Sequence, residues 1–357
     1  FQNQRQQEIA YQQLISVAQD KLTQAKTMDD GTALALIAEV ELTLQDAEQL
    51  QNNSLEVAQL RTQSAQWVDQ VTKVTRLSGL QHLYHYADLG TNTTQLIVDG
   101  IHIYVLDTGN QRLYHHRLDQ AEGEEISLTT PDRPIDGLEV DQLLSMTVIP
   151  PGGNRQTREL SILNSAELLT FRQEDGITRH TLSQEKAQSM PVAIGGYFGN
   201  FYLLSPTNDT LLRYVPQPDG YSQAPEQYFS NNTKPDLSEA LDMAIDGAIY
   251  ILYQHGHIEK YWGAEVSDFD LTGLDKPFDQ PRTIFTDLDE ILAHVYVVDY
   301  GNQRIVQLQK NGHFVRQFKP SHNGAVNFNN LQDIVVDERN NRMFILNDNN
   351  LYLSPLN

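Results

Sequence analysis

The chain has 357 residues, 39% hydrophobic and 20% charged, enough apolar material for one large core or two unequal domains. A formal net charge of −22 repels nucleic-acid phosphates. The absence of cysteine removes disulfides, thiolate catalysis and cysteine-ligated zinc, and no apolar run approaches the roughly eighteen residues of a membrane-spanning helix.

The chain opens FQNQRQQEIAYQQL without a Met, which reads as a processed or trimmed start, and a Gln-rich polar helix of this kind is what stands just outside a removed membrane anchor. Residues 1–77 carry helical periodicity. Ile9, Leu14, Ala18, Leu22 and Ala25 form one apolar stripe, and TMDDGT ends it. Leu34, Ile37, Val40, Leu44 and Ala47 form a second. A third helix runs through Leu60, Trp67, Val71 and Val74, with Asn53 and Glu56 spaced as an N-cap and its reciprocal partner. This predicts a module of two or three antiparallel helices, residues 1–77.

From residue 78 to 357 the helical period gives way to short strand-like runs rich in Val, Ile, Tyr and Leu, separated by Gly, Asn, Asp and Pro. The runs fall into groups starting near Gln95, Leu138, Met190, Leu241, Pro281 and Leu331. That spacing, roughly forty to fifty residues, is the range of a propeller blade. A single four-stranded sheet cannot bury both faces, so such repeats stack radially. The fold class predicted is therefore all-β, a six-bladed β-propeller with an N-terminal α-helical module. The last group has only three strands before Asn357, and LQHLYHYADL, residues 80 to 89, has strand character without a blade of its own. Pairing of Leu83–Ala87 with Leu351–Ser354 would close the ring and remove an open edge.

Two segments nearly repeat one another: Tyr104-Val105-Leu106-Asp107-Thr108-Gly109-Asn110-Gln111-Arg112 and Tyr296-Val297-Val298-Asp299-Tyr300-Gly301-Asn302-Gln303-Arg304. They read as hairpins between second and third strands. Asp107 and Asp299 accept hydrogen bonds from turn backbone, and Gly109 and Gly301 supply positive φ. Asn110, Arg112, Asn302 and Arg304 are assigned to the same architecture.

YVVDYGNQRIVQLQKNGHFVRQF resembles the NHL-type repeat of six-bladed propellers, with its D-x-x-N-x-R-[IV] core. The likeness is best over 282 to 318, fair at 95 to 118 and weak between, where Ser205 and Tyr253 replace the Asp. At larger scale, a helical segment ending in VTRLSGL before a propeller resembles the extracytoplasmic part of bacterial membrane-anchored signalling proteins. In those the cytoplasmic part is a PPM-type phosphatase or a Ser/Thr kinase. The resemblance implies an extracytoplasmic sensor or binding domain, reaching the membrane only through a segment upstream.

The chain lacks a G-x-S-x-G elbow, P-loop, H-E-x-x-H or dinucleotide fingerprint, so neither catalytic residues nor cofactors are assigned. No metal site is assigned either. His115 and His116 alternate faces of a strand, His255 and His257 lack a third ligand, and the acidic turns at Asp29-Asp30 and Asp287 to Glu290 read as solvated charge. Gln95, Met190 and Asp242 are the channel candidates, and they make no acidic–amide set that would mark a calcium-dependent, lactonase-like hydrolase, the alternative reading beside a protein-interaction scaffold. The sequons at Asn52, Asn92, Asn208 and Asn231 matter only in a glycosylating host. Recognition is expected on the long loops 149–159 and 215–240, through Asn154, Arg155, Tyr221, Tyr228 and Phe229. The ligand expected there is a glycan, a peptide or another protein.

Overall fold

The computed structural model describes residues 2–120, 142–165, 167–172, 176–182, 191–218, 220–230, 233–288, 290–322 and 324–356. The chain divides into two compact units, Phe1–Thr75 and Arg76–Asn357.

The first unit is three helices, α1 (Gln2–Ala25), α2 (Asp30–Leu50) and α3 (Leu55–Val71). Its core is Tyr11, Ile15, Ala18, Leu22 and Ala25 of α1 against Ala33, Ile37, Val40, Leu44 and Ala47 of α2, closed by Val57 and Leu60 of α3. Ile9 is not part of this stripe and is exposed; the stripe begins at Tyr11, whose ring is buried while its hydroxyl meets Ser54 Oγ and donates to Glu56 Oε2 at 2.9 Å. The α3 cap is also one residue later than the spacing suggests. Ser54 caps it by accepting from Val57 N at 3.3 Å, whereas Asn53 takes a left-handed φ of 57° in the turn. Asp29, expected only as solvated charge, caps α2 by accepting from Thr32 N and Oγ1 at 3.1 and 2.8 Å.

The second unit is a six-bladed propeller. The first strands of the blades are Thr93–Asp99, Leu143–Ile149, Ala193–Tyr197, Ala240–Ile245, Pro281–Phe285 and Leu331–Asp337. Each touches the first strands on both sides, so they form a closed inner ring. From each, the chain meanders outward through antiparallel neighbours. Blade 1 has three strands among the described residues, and the expected group start at Leu138 lies outside them, as does Met190. Blade 5 has a fifth strand, Val74–Leu77, whose Leu77 joins the blade 5–6 core and whose Arg76 Nη1 donates to Pro320 O at 3.0 Å.

Blade 6 is completed by Gln81–His85, which pairs with Asn350–Pro355 in the register Gln81↔Leu353 and His85↔Asn350. Asn349 locks the same seam. Its Oδ1 accepts from Thr93 N and Thr93 Oγ1, both at 3.0 Å, and its carbonyl accepts from Tyr86 N. Between blades, apolar faces interdigitate; Val297, Val306 and Ile251, for example, are fully buried. Burial of each such side chain is worth about 1.5 to 3 kcal/mol, which is why neighbouring blades hold together without covalent links.

The two repeated turns are built on their Asp side chains. Asp107 Oδ1 accepts from Asn92 N, Gly109 N and Asn110 N at 2.8 to 3.1 Å. Asp299 Oδ1 accepts from Asp279 N at 2.8 Å, and Oδ2 from Asn302 Nδ2 at 2.8 Å and Arg304 Nε at 2.6 Å. The glycines correct the expectation of positive φ: the left-handed residues are Gln111 and Gln303, with φ of 54° and 51°. What Gly109 and Gly301 permit is close approach. A Cβ on Gly109 would lie 2.0 Å from Gly90 O, and one on Gly301 2.5 Å from Asp279 Cγ, because the connector entering the blade crosses directly over the turn. A third copy of the D-x-x-N-x-R turn, Asp337 to Arg342, joins the first and second strands of blade 6. There Asp337 accepts from Asn340 N at 3.1 Å, Asn340 Nδ2 at 2.7 Å and Arg342 Nε at 2.8 Å.

Candidate functional site

Because every blade is the same meander, turns from first to second strands and from third to outer strands share one face of the propeller. On this face the turn Phe198-Gly199 of blade 3 meets the 149–159 loop of blade 2, with Gly199 N donating to Pro150 O at 3.0 Å. Tyr221 of the second long loop reaches the same spot. The Tyr221 hydroxyl donates to Gly199 O at 2.8 Å and accepts from Arg155 Nη1 at 3.1 Å, with the guanidinium 5.5 Å from the Tyr221 ring centre.

This junction corrects two of the residues expected to contact a ligand. Tyr221 is 1% exposed, stacked edge-on with Phe201, and Arg155 is ion-paired with Glu159. They fasten the two loops to each other. Tyr228 and Phe229 also face inward: Tyr228 accepts from Ala264 N at 3.2 Å, and Phe229 packs on Tyr261 at 4.7 Å, on the connector between blades 3 and 4. Asn154 alone of the five is exposed.

The large aromatic side chains exposed on this face include Phe198, 61% exposed, and Trp262, 63% exposed, on blades 3 and 4. Next to Trp262 lies a cavity of about 250 Å³ between blades 4 and 5, lined by Asp246, Tyr250, Lys260, Leu288, Glu290 and Lys310 among others. Three of its charged groups, on Asp246, Lys260 and Lys310, are held in place. Lys310 Nζ donates to Asp246 Oδ2 at 2.5 Å and to Asp287 O at 2.7 Å, while Lys260 Nζ sits 5.2 Å from the Tyr250 ring centre and donates to Lys310 O at 3.0 Å. Gly247 lets the Trp262 ring approach the turn, since a Cβ there would lie 3.3 Å from it.

The channel is lined differently. At the residue facing the last apolar position of the second strand, the blades carry Gln95, Ser145, Ala193, Asp242 and Asp333. Three of these side chains bond across to the next blade: Gln95 Oε1 accepts from Met146 N at 2.7 Å, Asp242 Oδ2 from Ile284 N at 2.8 Å and Asp333 Oδ2 from Leu96 N at 2.7 Å. Gln95 Nε2 also donates to Ser145 Oγ at 3.0 Å. Dense surrounding protein raises the Asp242 carboxyl to about 8, with Asp333 adding repulsion, and burial raises Asp333 to about 7. Gln95, Asp242 and Asp333 thus hold equivalent places on blades 1, 4 and 6, each tied to the backbone of the next blade. Asp333 was not among the candidates, although TTQLIVD, ALDMAID and LQDIVVD share a polar third residue before an apolar fourth.

The two histidines of each adjacent pair face different partners. His115 Nε2 lies 2.9 Å from His102 Nδ1, and His116 Nε2 lies 2.9 Å from Tyr86 Oη on the other side of the strand; burial pushes both rings down to about 4. His255 and His257 pair with different carboxylates, Glu239 and Glu259. Among the described residues no three His, Asp or Glu side chains are grouped as a metal would need.

No protein-family model matches the chain, and no curated protein matches it. Among solved structures it is similar to virginiamycin B lyase from Staphylococcus aureus, with 13% identity, 78% of this chain and 99% of that chain covered, and a TM-score of 0.51. It is similar also to a gluconolactonase from Xanthomonas campestris, with 12% identity, 78% and 91% covered and a TM-score of 0.52. A further neighbour is the extracellular domain of a hybrid two component system from B. thetaiotaomicron, with 9% identity, 78% and 40% covered and a TM-score of 0.47. At these identities the first two likenesses establish the propeller fold alone, and the two proteins that share it are a lyase and a lactonase.

Proposed function

We propose that the chain is a non-enzymatic, extracytoplasmic binding or sensing domain that recognises its ligand through the face carrying Phe198 and Trp262. The observation behind this reading is the pair of exposed aromatic rings on adjacent blades, one of them beside a cavity with three charged groups already held in place. Exposed rings of this size are costly in water and are the usual anchors of a recognition surface. A neutral glycan or a peptide matches that mixture of flat apolar surface and fixed hydrogen-bonding groups, whereas a net charge of −22 opposes a long polyanion. The NHL-type repeat and the attachment to a membrane through an upstream segment belong to the same proposal, supported by the D-x-x-N-x-R turns and the helices that precede the ring.

A second reading, a hydrolase working in the channel, draws on Gln95, Asp242 and Asp333. Against it, each of the three already accepts a backbone N–H from the next blade, which ties the set to ring assembly. The test is a screen of the whole chain against glycan and peptide arrays, repeated with Trp262→Ala and Phe198→Ala. Binding that either substitution weakens at least tenfold supports the proposal. Turnover of a sugar lactone with added calcium, lost in Asp242→Asn and kept in Trp262→Ala, overturns it.

A further inference from the structure

On the opposite face, beneath blades 5 and 6, lies a second cavity of about 340 Å³. Its walls come from the turn Gly301-Asn302-Gln303, the connector that follows the strand Phe314–Pro320, and the side chains of Arg76, Lys276, Lys319 and His322. Among the described residues that line it, none is acidic. In a chain with 47 acidic and 25 basic residues, a concave surface bounded only by neutral and cationic groups is the reverse of what composition supplies.

Of the carboxylates around it, Asp279 lies against Gly301, and two others are committed to an arginine. Asp299 and Asp275 both pair with Arg304, whose guanidinium is fully buried and also donates to Gln317 Oε1 at 3.0 Å and Lys276 O at 2.9 Å. Among the described residues, neither Lys276 nor Lys319 forms an ion pair or a side-chain hydrogen bond with the protein. Arg76 is held at the rim by Pro320 O. Lys319 is half-buried. Burial first, and then the charges of Lys276, Arg304 and Arg76, push its ammonium below the ordinary lysine range, with Asp275 offsetting least. Like charges gathered in a partly desolvated wall repel one another, and an anion of matching charge relieves both the repulsion and the lost hydration.

We propose that this cavity binds a phosphate-type oxyanion, free or carried on a larger molecule, with Lys276 and Lys319 as the donors and Arg76 completing the positive field. Three cations converging on one concavity fit a dianion better than a single carboxylate, and the cavity has room for part of the group to which a phosphate is attached. The site is independent of the aromatic face, so its fate and that of the proposed recognition surface are separable.

The experiment is titration of the whole chain with inorganic phosphate at constant ionic strength, followed by calorimetry and by NMR of labelled lysine side chains. Saturable binding is expected, with an upward move in the Lys319 titration when phosphate is present, because an anion favours the charged ammonium. Lys319→Gln and the exposed-site Lys276→Gln should each weaken binding about tenfold, the loss expected for one charge-assisted hydrogen bond. Lys276→Gln keeps the test decisive if the half-buried substitution perturbs folding. Vesicles of phosphatidylcholine with and without phosphatidic acid separate the sources. Retention on the phosphatidic acid vesicles alone, lost in both variants, supports a lipid phosphoryl group, whereas phosphate binding without retention supports a soluble ligand. Absence of saturation with phosphate and of retention on vesicles overturns the proposal. So does phosphate binding that chloride matches at equal ionic strength, or binding unchanged in both variants.

Discussion

The turns Asp107 to Arg112 and Asp299 to Arg304 share their Asp, Gly, Asn, Gln and Arg, and they fold alike, yet the arginine that ends each one lives in a different environment. In blade 5 the Arg304 side chain is 0% exposed, bonded to Asp299, Asp275, Gln317 and the backbone of Lys276. In blade 1 the Arg112 side chain is 33% exposed and pairs with Asp88, itself at the surface. A motif of this kind fixes the backbone locally, through the Asp; how much the last residue contributes to stability depends on the connector that happens to cover it. In the third copy, Arg342 returns to its own Asp337 and packs over Phe344 at 5.3 Å from the ring centre.

Substitutions sharpen that contrast. The largest expected effect is that of Arg304→Ala, which strands a fully buried Asp299 carboxylate and removes four partners at once. Denaturant unfolding of the propeller should show a loss of about 3 to 5 kcal/mol. Next is Gly109→Ala, where the new methyl meets the backbone of Gly90 rather than a movable side chain, so a loss of about 1 to 3 kcal/mol is expected. A smaller loss at Gly109 than at Gly301, whose nearest obstacle is the Asp279 side chain, would contradict the account of crossing connectors.

A third test is of pH. Asp242 and Asp333 titrate higher in the folded ring than in an unfolded chain, where an aspartate sits near 3.8. Their contribution is therefore full below about pH 4 and is lost as pH rises through about 7 and about 8. Each can change stability by at most about 1.4 kcal/mol per pH unit. The thermal midpoint should fall between pH 5 and pH 8, and Asp242→Asn with Asp333→Asn should flatten the slope. The smallest effect belongs to Arg112→Ala, below about 1 kcal/mol for an exposed pair. A loss there equal to that of Arg304→Ala would dissolve the comparison.

These details mark where the sequence was readable. The blades and their closure were legible because a repeat of strand, Asp turn and strand recurs at blade spacing, and because a blade short of one strand at the end of the chain answers a lone strand before blade 1. Helix stripes were legible to within a residue or two, with Ile9 and Asn53 misread because their periodicity and type suit the neighbouring positions equally well. The glycines were misread for a physical reason. A sequence shows that a Cβ is not tolerated, but positive φ and close backbone approach leave the same mark. Tyr221, Tyr228 and Phe229 were misread because an aromatic in a long loop looks the same whether it faces solvent or pins the loop down. Asp333 escaped notice because its alignment with Gln95 and Asp242 depends on a bulge that shifts register just before it in each first strand.

The seam of blade 6 sets an order of events during biosynthesis. Gln81–His85 is made after Val74–Leu77 but before every other strand of the propeller, and its partner Asn350–Pro355 is made only after the strands of blades 1 to 5. At about 5 to 20 residues per second the early strand waits on the order of tens of seconds with both edges unpaired. During that interval the nascent ring holds an open edge at each end, and two such chains on one message could pair tail to head. A helical module that folds at once from local contacts, and a charge of −22 that keeps neighbouring chains apart, both act in favour of the intramolecular closure.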